Sequence, residues 1–316
     1  MAGSYAKIDY RVRPAKSIER KMLVDSFRAL RSFGAVEKYR YVGLGSVYFT
    51  DFSLVHRALG IEEMVSIEDA QDLTVQARFR LNVPFGNIQM HFGASTAVLQ
   101  KLKWNVRTIC WLDYDGALAA SCLEDVAYFV RNAPSGSLLL LSLNAGPIQS
   151  SGSEGMKPLD TLKVQVGAEA VPADVENKHL SGWGVGDVYR RIVMAVIEEA
   201  LRVRGSTGGS SSRMTFEPVY NFRYADGTKM VTFGGVLVED AHKGVFRACN
   251  FEQFEFCRFG GDAYLIEAPL VTYAEMRHMD SERTKASCRL PLPAAEIEKY
   301  AKFYRYFPKF VEAEIS

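Results

Sequence analysis

Arg40-Tyr41-Val42-Gly43-Leu44-Gly45-Ser46, then the segment Phe49 to Leu59, then Met64-Val65-Ser66-Ile67-Glu68-Asp69, together decide the fold class. They read strand, glycine turn, helix, strand. Arg40 to Leu44 is a short apolar strand. Phe49 to Leu59 carries helical spacing and is closed by Gly60. Glu63 to Glu68 is a second strand ending in acids. The same alternation continues downstream. Ala70 to Leu81 reads as a helix, and Ile88 to Phe92 as a strand ending in Gly93-Ala94-Ser95. A short helix follows from Thr96 to Lys101. Arg107 to Leu112 is a strand ending in Asp113-Tyr114-Asp115-Gly116. Ala117 to Arg131 is a long helix, and Ser137 to Leu143 a strand ending at Asn144. Near-continuous apolar strands between helices imply a parallel sheet buried on both faces, and right-handed crossovers make it open and doubly wound.

Outside this repeat the pattern changes. Before it, Ile18, Met22, Leu23, Phe27, Leu30 and Phe33 predict a helix over 17–34, with Ser17 as its cap and Gly34 as its stop. After Pro147 comes a Ser/Gly-rich stretch, a strong helix from Asp187 to Arg204, and the tract Gly205 to Ser212, which reads as a mobile loop. Thr215 to Tyr224 and Lys229 to Val238 flank Ala225-Asp226-Gly227-Thr228, a hairpin signal. Phe251 to Phe259 and Ala263 to Ile266 are further strand candidates, and Ala294 to Phe307 is a closing helix. The expected organisation is an N-terminal helical segment (1–37), a ligand-binding α/β half (38–147), an insertion (148–213), and C-terminal strands with the closing helix (214–316).

The chain has 316 residues, 48% hydrophobic and 24% charged, which is globular usage and excludes a disordered or fibrous protein. Lys plus Arg is 38 against 37 for Asp plus Glu, so no global basic surplus points to nucleic acid. A local basic face (Arg11, Arg13, Lys16, Arg20, Lys21) is a candidate contact for nucleic acid or another subunit; a solvated helix face is its ordinary reading. No apolar run is long enough to cross a bilayer and no signal-peptide pattern is visible, so the expectation is a cytoplasmic protein without a membrane partner. Five scattered cysteines fit reduced thiols. The dispersed histidines give no zinc spacing, and no metal is expected.

A ligand of an open α/β sheet lies beyond the carboxyl ends of the strands. Gly43, Gly45 and Ser46 sit there, between strand and helix, where glycine lets backbone approach a ligand. Glu68, 23 residues after Gly45, can accept both hydroxyls of a ribose; Asp69 competes for that role, although a helix N-cap suits it better. Gly93, Ala94 and Ser95 leave room for a flat base, while Ser95 could equally cap a helix. Asp113 and Asp115 suit a general base or a cation contact. Asn144 could join them around Mg²⁺, but a turn role before Gly146-Pro147 is the better account.

In this order, these residues resemble the class I S-adenosylmethionine-dependent methyltransferases. Tyr41-Val42-Gly43-Leu44-Gly45-Ser46 looks like the first cofactor motif, Glu68 like the ribose acid, Gly93-Ala94-Ser95 like the adenine-side segment, and Asp113-Tyr114-Asp115-Gly116 like the motif lining the methionine end and the substrate. The Asp226-Gly227 hairpin is similar to that fold's final antiparallel pair. Arg13 to Met22, Gly43 to Phe49 and Trp111 to Gly116 look more narrowly like bacterial proteins labelled O-methyltransferases. The resemblance implies a seven-stranded, mostly parallel Rossmann-like sheet with an antiparallel final hairpin, S-adenosyl-L-methionine as cofactor, and methyl transfer to an oxygen or nitrogen. The pattern departs at Tyr41, which replaces an acid, and at Val47, which replaces a glycine; Asp51 is a candidate substitute for the missing charge.

Three functions follow as expectations. The first is a methyltransferase, with Asp113 or Asp115 as base, Tyr114 orienting the acceptor, His179 as an outside candidate, and 148–213 (with Trp183 and Tyr189) as a lid or a core-completing cap. The second is a nicotinamide-dependent oxidoreductase using Gly43, Gly45 and Glu68, which Tyr48 weakens by occupying the third glycine position. The third is a non-catalytic binding protein on the same fold. The aromatic closing helix (Tyr300, Phe303, Tyr304, Tyr306, Phe307) suits core packing or a subunit contact in a homo-oligomer, and base stacking less well.

Overall fold

The computed structural model describes residues 13–148, 155–207, 213–282 and 290–308; Arg11, Cys288 and positions 208–212 of the Ser/Gly tract lie outside them. Helix α1 (Pro14–Phe27) comes first. The alternating half then supplies β1 (Arg40–Leu44), α2 (Thr50–Leu59), β2 (Glu63–Glu68), α3 (Leu73–Leu81), β3 (Ile88–Phe92), α4 (Ser95–Leu99), β4 (Thr108–Asp113), α5 (Ala120–Asn132) and β5 (Leu138–Asn144). Helices α6 (Pro158–Val166) and α7 (Gly184–Thr207) lead to the hairpin of β6 (Met214–Ala225) and β7 (Lys229–Glu239). Helix α8 (Lys243–Ala248), strand β8 (Tyr264–Ile266), α9 (Tyr273–Glu282) and α10 (Ala294–Phe303) close the chain.

One sheet has the order β3-β2-β1-β4-β5-β7-β6-β8. β1 pairs in parallel with both β2 and β4, so strand order reverses there and opens a crevice at the carboxyl ends. β7 runs antiparallel to β5 and β6. The expected seven strands gain an eighth: β8, parallel to β6, at the edge.

Alternation along the strands divides the core. Tyr41, Trp111, Leu138 and Leu140 face α1 and α2. Val42, Cys110, Leu112, Leu139 and Leu141 face α5 and α7. Helix α7 buries Val185, Val188, Tyr189, Ile192, Val193 and Ile197 on that second face and so forms part of the core. The closing aromatics pack inward too, with Tyr300 and Phe303 buried.

Several sequence expectations shift. α1 starts at Pro14 rather than Ser17; its residue before the first turn, Arg13, offers no side-chain cap. Asp226, on the distant β6–β7 turn, instead accepts from the N–H groups of Ala15 (3.1 Å) and Lys16 (2.8 Å). No local pattern encodes a cap brought from the other end of the chain. The expected helix over 17–34 ends at Phe27 and passes into a 3₁₀ turn, Arg28–Ser32. The helix expected from Ala70 begins at Leu73, and its cap is Asp72, not Asp69: Asp72 accepts from Thr74 N (2.7 Å) and Val75 N. The strand expected over Phe251–Phe259 is a 3₁₀ turn, Phe251–Gln253, followed by a loop. Its aromatic spacing reflects Phe251 and Phe256 entering the core, not a pleat.

Candidate active site

A cleft of about 320 Å³ opens at the switch point, lined by Leu44, Gly45, Ile67, Glu68, Asp69, Gly93, Ala94, Ser95, Thr96, Asp113, Tyr114, Asp115 and Ser121. The ends of β1, β2, β3 and β4 therefore converge on one space. Among the sequence candidates, Gly43 and Ser46 are not in the lining. Gly43 lies below, where a Cβ would stand 3.2 Å from the Tyr41 ring. The Ser46 hydroxyl turns back to accept from Tyr48 N (3.3 Å).

Gly45 is glycine for space, not for backbone conformation: its φ is not positive, and a Cβ there would collide with Glu68 Oε1 and Ser66 Oγ. Both of those atoms are buried and have no hydrogen-bond partner among the described residues. Glu68 is 9% exposed. Burial first, then the Asp51 and Asp115 carboxylates, push its pKa up to about 8. A buried carboxyl oxygen without a partner costs free energy, and a ligand hydroxyl would relieve that cost.

Asp113 is built the opposite way. Lys16, fully buried, places its Nζ 2.7 Å from Asp113 Oδ1 and 2.8 Å from Glu19 Oε2. The ammonium also lies over the rings of Trp111 (4.8 Å) and Tyr224 (5.6 Å). Burial alone would push the Lys16 pKa down; the carboxylates of Asp113 and Glu19 outweigh it and raise it. Burial likewise pushes Asp113 up, and Lys16 with Arg20 outweighs it, so Asp113 is held below its ordinary value. A carboxylate so stabilised is a poor proton acceptor. Lys16 and Arg20, read from the sequence as a basic face, are buried, as is Arg13 at 9% exposure, and point inward. These three are not the solvated face their spacing suggested. Lys21 donates to the Phe307 carbonyl.

The Ser95 and Tyr114 hydroxyls both donate to Asp125 Oδ2. Ser95 is the first residue of α4, not its cap. Burial raises the Tyr114 pKa, and Asp125 raises it further. Asp115 is exposed at the rim of the cleft. Asn144 takes the turn role: its Oδ1 accepts from Gly146 N (2.8 Å) and Thr228 Oγ1 (3.2 Å). His179 sits in a separate 3₁₀ turn, where Nδ1 accepts from Glu176 N (3.1 Å). Tyr41 donates to Asp51 Oδ2 at 2.6 Å, so a carboxylate does stand beside the replaced motif position. Among the described residues no His/Cys/Asp/Glu group is arranged to hold a metal ion, and no helix is long and apolar enough to cross a membrane.

Sequence reading missed Ser66, Asp125 and the inward role of Lys16. Ser66 sits two residues before Glu68 on the same face of β2, a signal that strand alternation carries. Lys16 and Asp113 are 97 residues apart, beyond any local pattern.

A search of curated proteins finds no match. Matches among solved structures include two methyltransferase-titled proteins that align at low identity. The O-methyltransferase TomG from Streptomyces achromogenes, solved in complex with SAM, shares 14% identity with a TM-score of 0.35, over 74% of this chain and 93% of that one. Trm1 from Pyrococcus horikoshii, solved with S-adenosyl-L-methionine, shares 12% identity with a TM-score of 0.43, over 72% of this chain and 56% of that one. A family model matches residues 8–315, nearly the whole sequence, and the chain belongs to the family described as "Putative O-methyltransferase".

Proposed function

We propose that this protein is an S-adenosyl-L-methionine-dependent methyltransferase that binds its cofactor in the crest cleft and methylates an oxygen or nitrogen of its acceptor. One observation carries the reading: Glu68 Oε1 is buried and unpartnered beside the one position, Gly45, whose missing side chain leaves the space open. The chemistry fits a ribose diol. Below about pH 8 Glu68 is protonated and can both donate to and accept from neighbouring hydroxyls. Gly93 and Ala94 supply a small-residue wall for the adenine. Asp113, fixed by Lys16, faces the methionine end as a permanent negative charge.

When bound there, S-adenosyl-L-methionine supplies a methyl carbon made electrophilic by its sulfonium. The protein's own work is to align acceptor and methyl and to exclude water. Asp115, exposed in the lining at the rim of the cleft, is the residue placed to take the acceptor's proton.

Calorimetric titration with S-adenosyl-L-methionine and, separately, NAD tests the cofactor. Binding of the first and not the second is expected. Glu68→Ala should weaken it by about 1–3 kcal/mol, because cofactor hydroxyls lose their partner. Unchanged affinity in that variant would overturn the assignment of the ribose site. Asp115→Asn should lower turnover by roughly 10²–10⁴-fold for a hydroxyl acceptor, with cofactor affinity retained.

A further inference from the structure

The cleft carries four carboxyl groups (Glu68, Asp69, Asp113, Asp115) and no cationic side chain in its lining. The neighbouring stretch of the same crest carries the opposite charge. Trp183, half-buried just before α7, has Lys229 Nζ 5.4 Å and Arg223 Cζ 5.7 Å from its ring centroid. Arg223 is paired with Asp187. Lys229 makes no ion pair with a carboxylate among the described residues, although it too is half-buried. The two stretches are joined through backbone. Asn144 N donates to Gly116 O at 2.9 Å, next to Asp115, and Ala145 N donates to Lys229 O at 2.8 Å. Strands β4, β5 and β7 are consecutive in the sheet, so Lys229 stands two strand spacings, roughly 10 Å, across from the Asp113–Asp115 end.

We infer that Lys229, seated on Trp183, is an anion-recognising subsite for the methyl acceptor, and that the acceptor carries a carboxylate or phosphate. The inference rests on the methyltransferase reading above. Its physical basis is charge sorting. A half-buried ammonium with no internal carboxylate attracts an external anion. The exposed carboxylates of Asp69 and Asp115 in the cleft next to it disfavour that anion there and favour a cationic cofactor, so each ligand is steered to its own side. The ring of Trp183 holds the ammonium in place without neutralising it.

The test uses the full chain saturated with S-adenosylhomocysteine, and follows quenching of Trp183 fluorescence by 4-hydroxybenzoate, phenyl phosphate and phenol. Trp183→Phe identifies that residue's share of the signal. The expected result is binding of at least one anion about tenfold tighter than phenol, a preference that Lys229→Met removes and Lys229→Arg keeps. Preference for the benzoate or for the phosphate ester tells which anion the site takes. If neither anion outcompetes phenol, or if Lys229→Met leaves the preference intact, the subsite is overturned. S-adenosyl-L-methionine calorimetry on the same proteins separates the two failures. Retained cofactor binding without anion preference removes only this subsite; absent cofactor binding in the wild type removes the reading beneath it.

Discussion

Glu68 and Asp113 occupy equivalent positions, the last residues of two parallel strands that flank β1, yet they live in opposite electrostatic states. Glu68 is buried with an oxygen that nothing in the described chain satisfies, and its pKa is pushed up to about 8. Asp113 is matched by a buried ammonium and held ionised. Strand position puts an acid at the crest; what is packed above it decides whether that acid waits for a ligand or is part of the scaffold. Helix α1 sets Lys16 on Asp113, whereas the charged groups acting on Glu68 are the carboxylates of Asp51 and Asp115.

The largest effect expected from breaking this contrast is at Lys16. Lys16→Met leaves Asp113 and Glu19 buried without their cation and should cost about 3–5 kcal/mol in urea unfolding. Adding Asp113→Asn should recover part of that loss, and a strictly additive double variant would show that the pair is not coupled. On the other side, Gly45→Ala places a methyl against Glu68 and Ser66. It should cost about 1–3 kcal/mol of stability and weaken cofactor binding; a neutral substitution would mean that the cleft wall yields freely.

The effect sharpest in form is the pH dependence of Glu68→Gln. The folded pKa of about 8 lies above the unfolded value near 4.5, so the wild type's contribution from Glu68 is full below pH 4.5 and is lost as pH rises through 8. The variant does not titrate there. Its melting temperature relative to wild type should therefore climb between those limits, by roughly 2–4 °C for each kcal/mol. A difference that stays flat with pH would show that Glu68 is ionised in the folded protein at neutral pH.

Much of this was legible in the chain. The strands Arg40–Leu44, Glu63–Glu68 and Ile88–Phe92 have in the fold the limits their apolar runs predict. The parallel class, the hairpin at Asp226-Gly227 and most of the cleft residues follow from the same reading, because period and glycine placement are local properties. What stayed illegible depends on contacts between distant segments. The basic residues of α1 look like a surface face until Asp113, Trp111 and Tyr224 are seen around Lys16. The aromatic run after Phe251 looks like a strand because core-facing side chains in an irregular loop mimic its spacing. Tyr114 and Ser95 line the cleft, but the commitment of their hydroxyls to Asp125, 11 and 30 residues onward, needs the folded helix α5.

The cap that Asp226 gives to α1 joins residues more than two hundred positions apart. During synthesis the first helix, and Asp113 that pairs with its lysine, emerge long before the hairpin, so for much of translation the N-terminus of α1 lacks its Asp226 cap and Lys16 lacks the Tyr224 ring. The β4 side of the cleft is therefore finished late, when the second half of the chain arrives. A truncated product ending after the fifth strand would carry every glycine and acid of the cofactor motifs and still lack the turn that anchors Lys16 over Asp113.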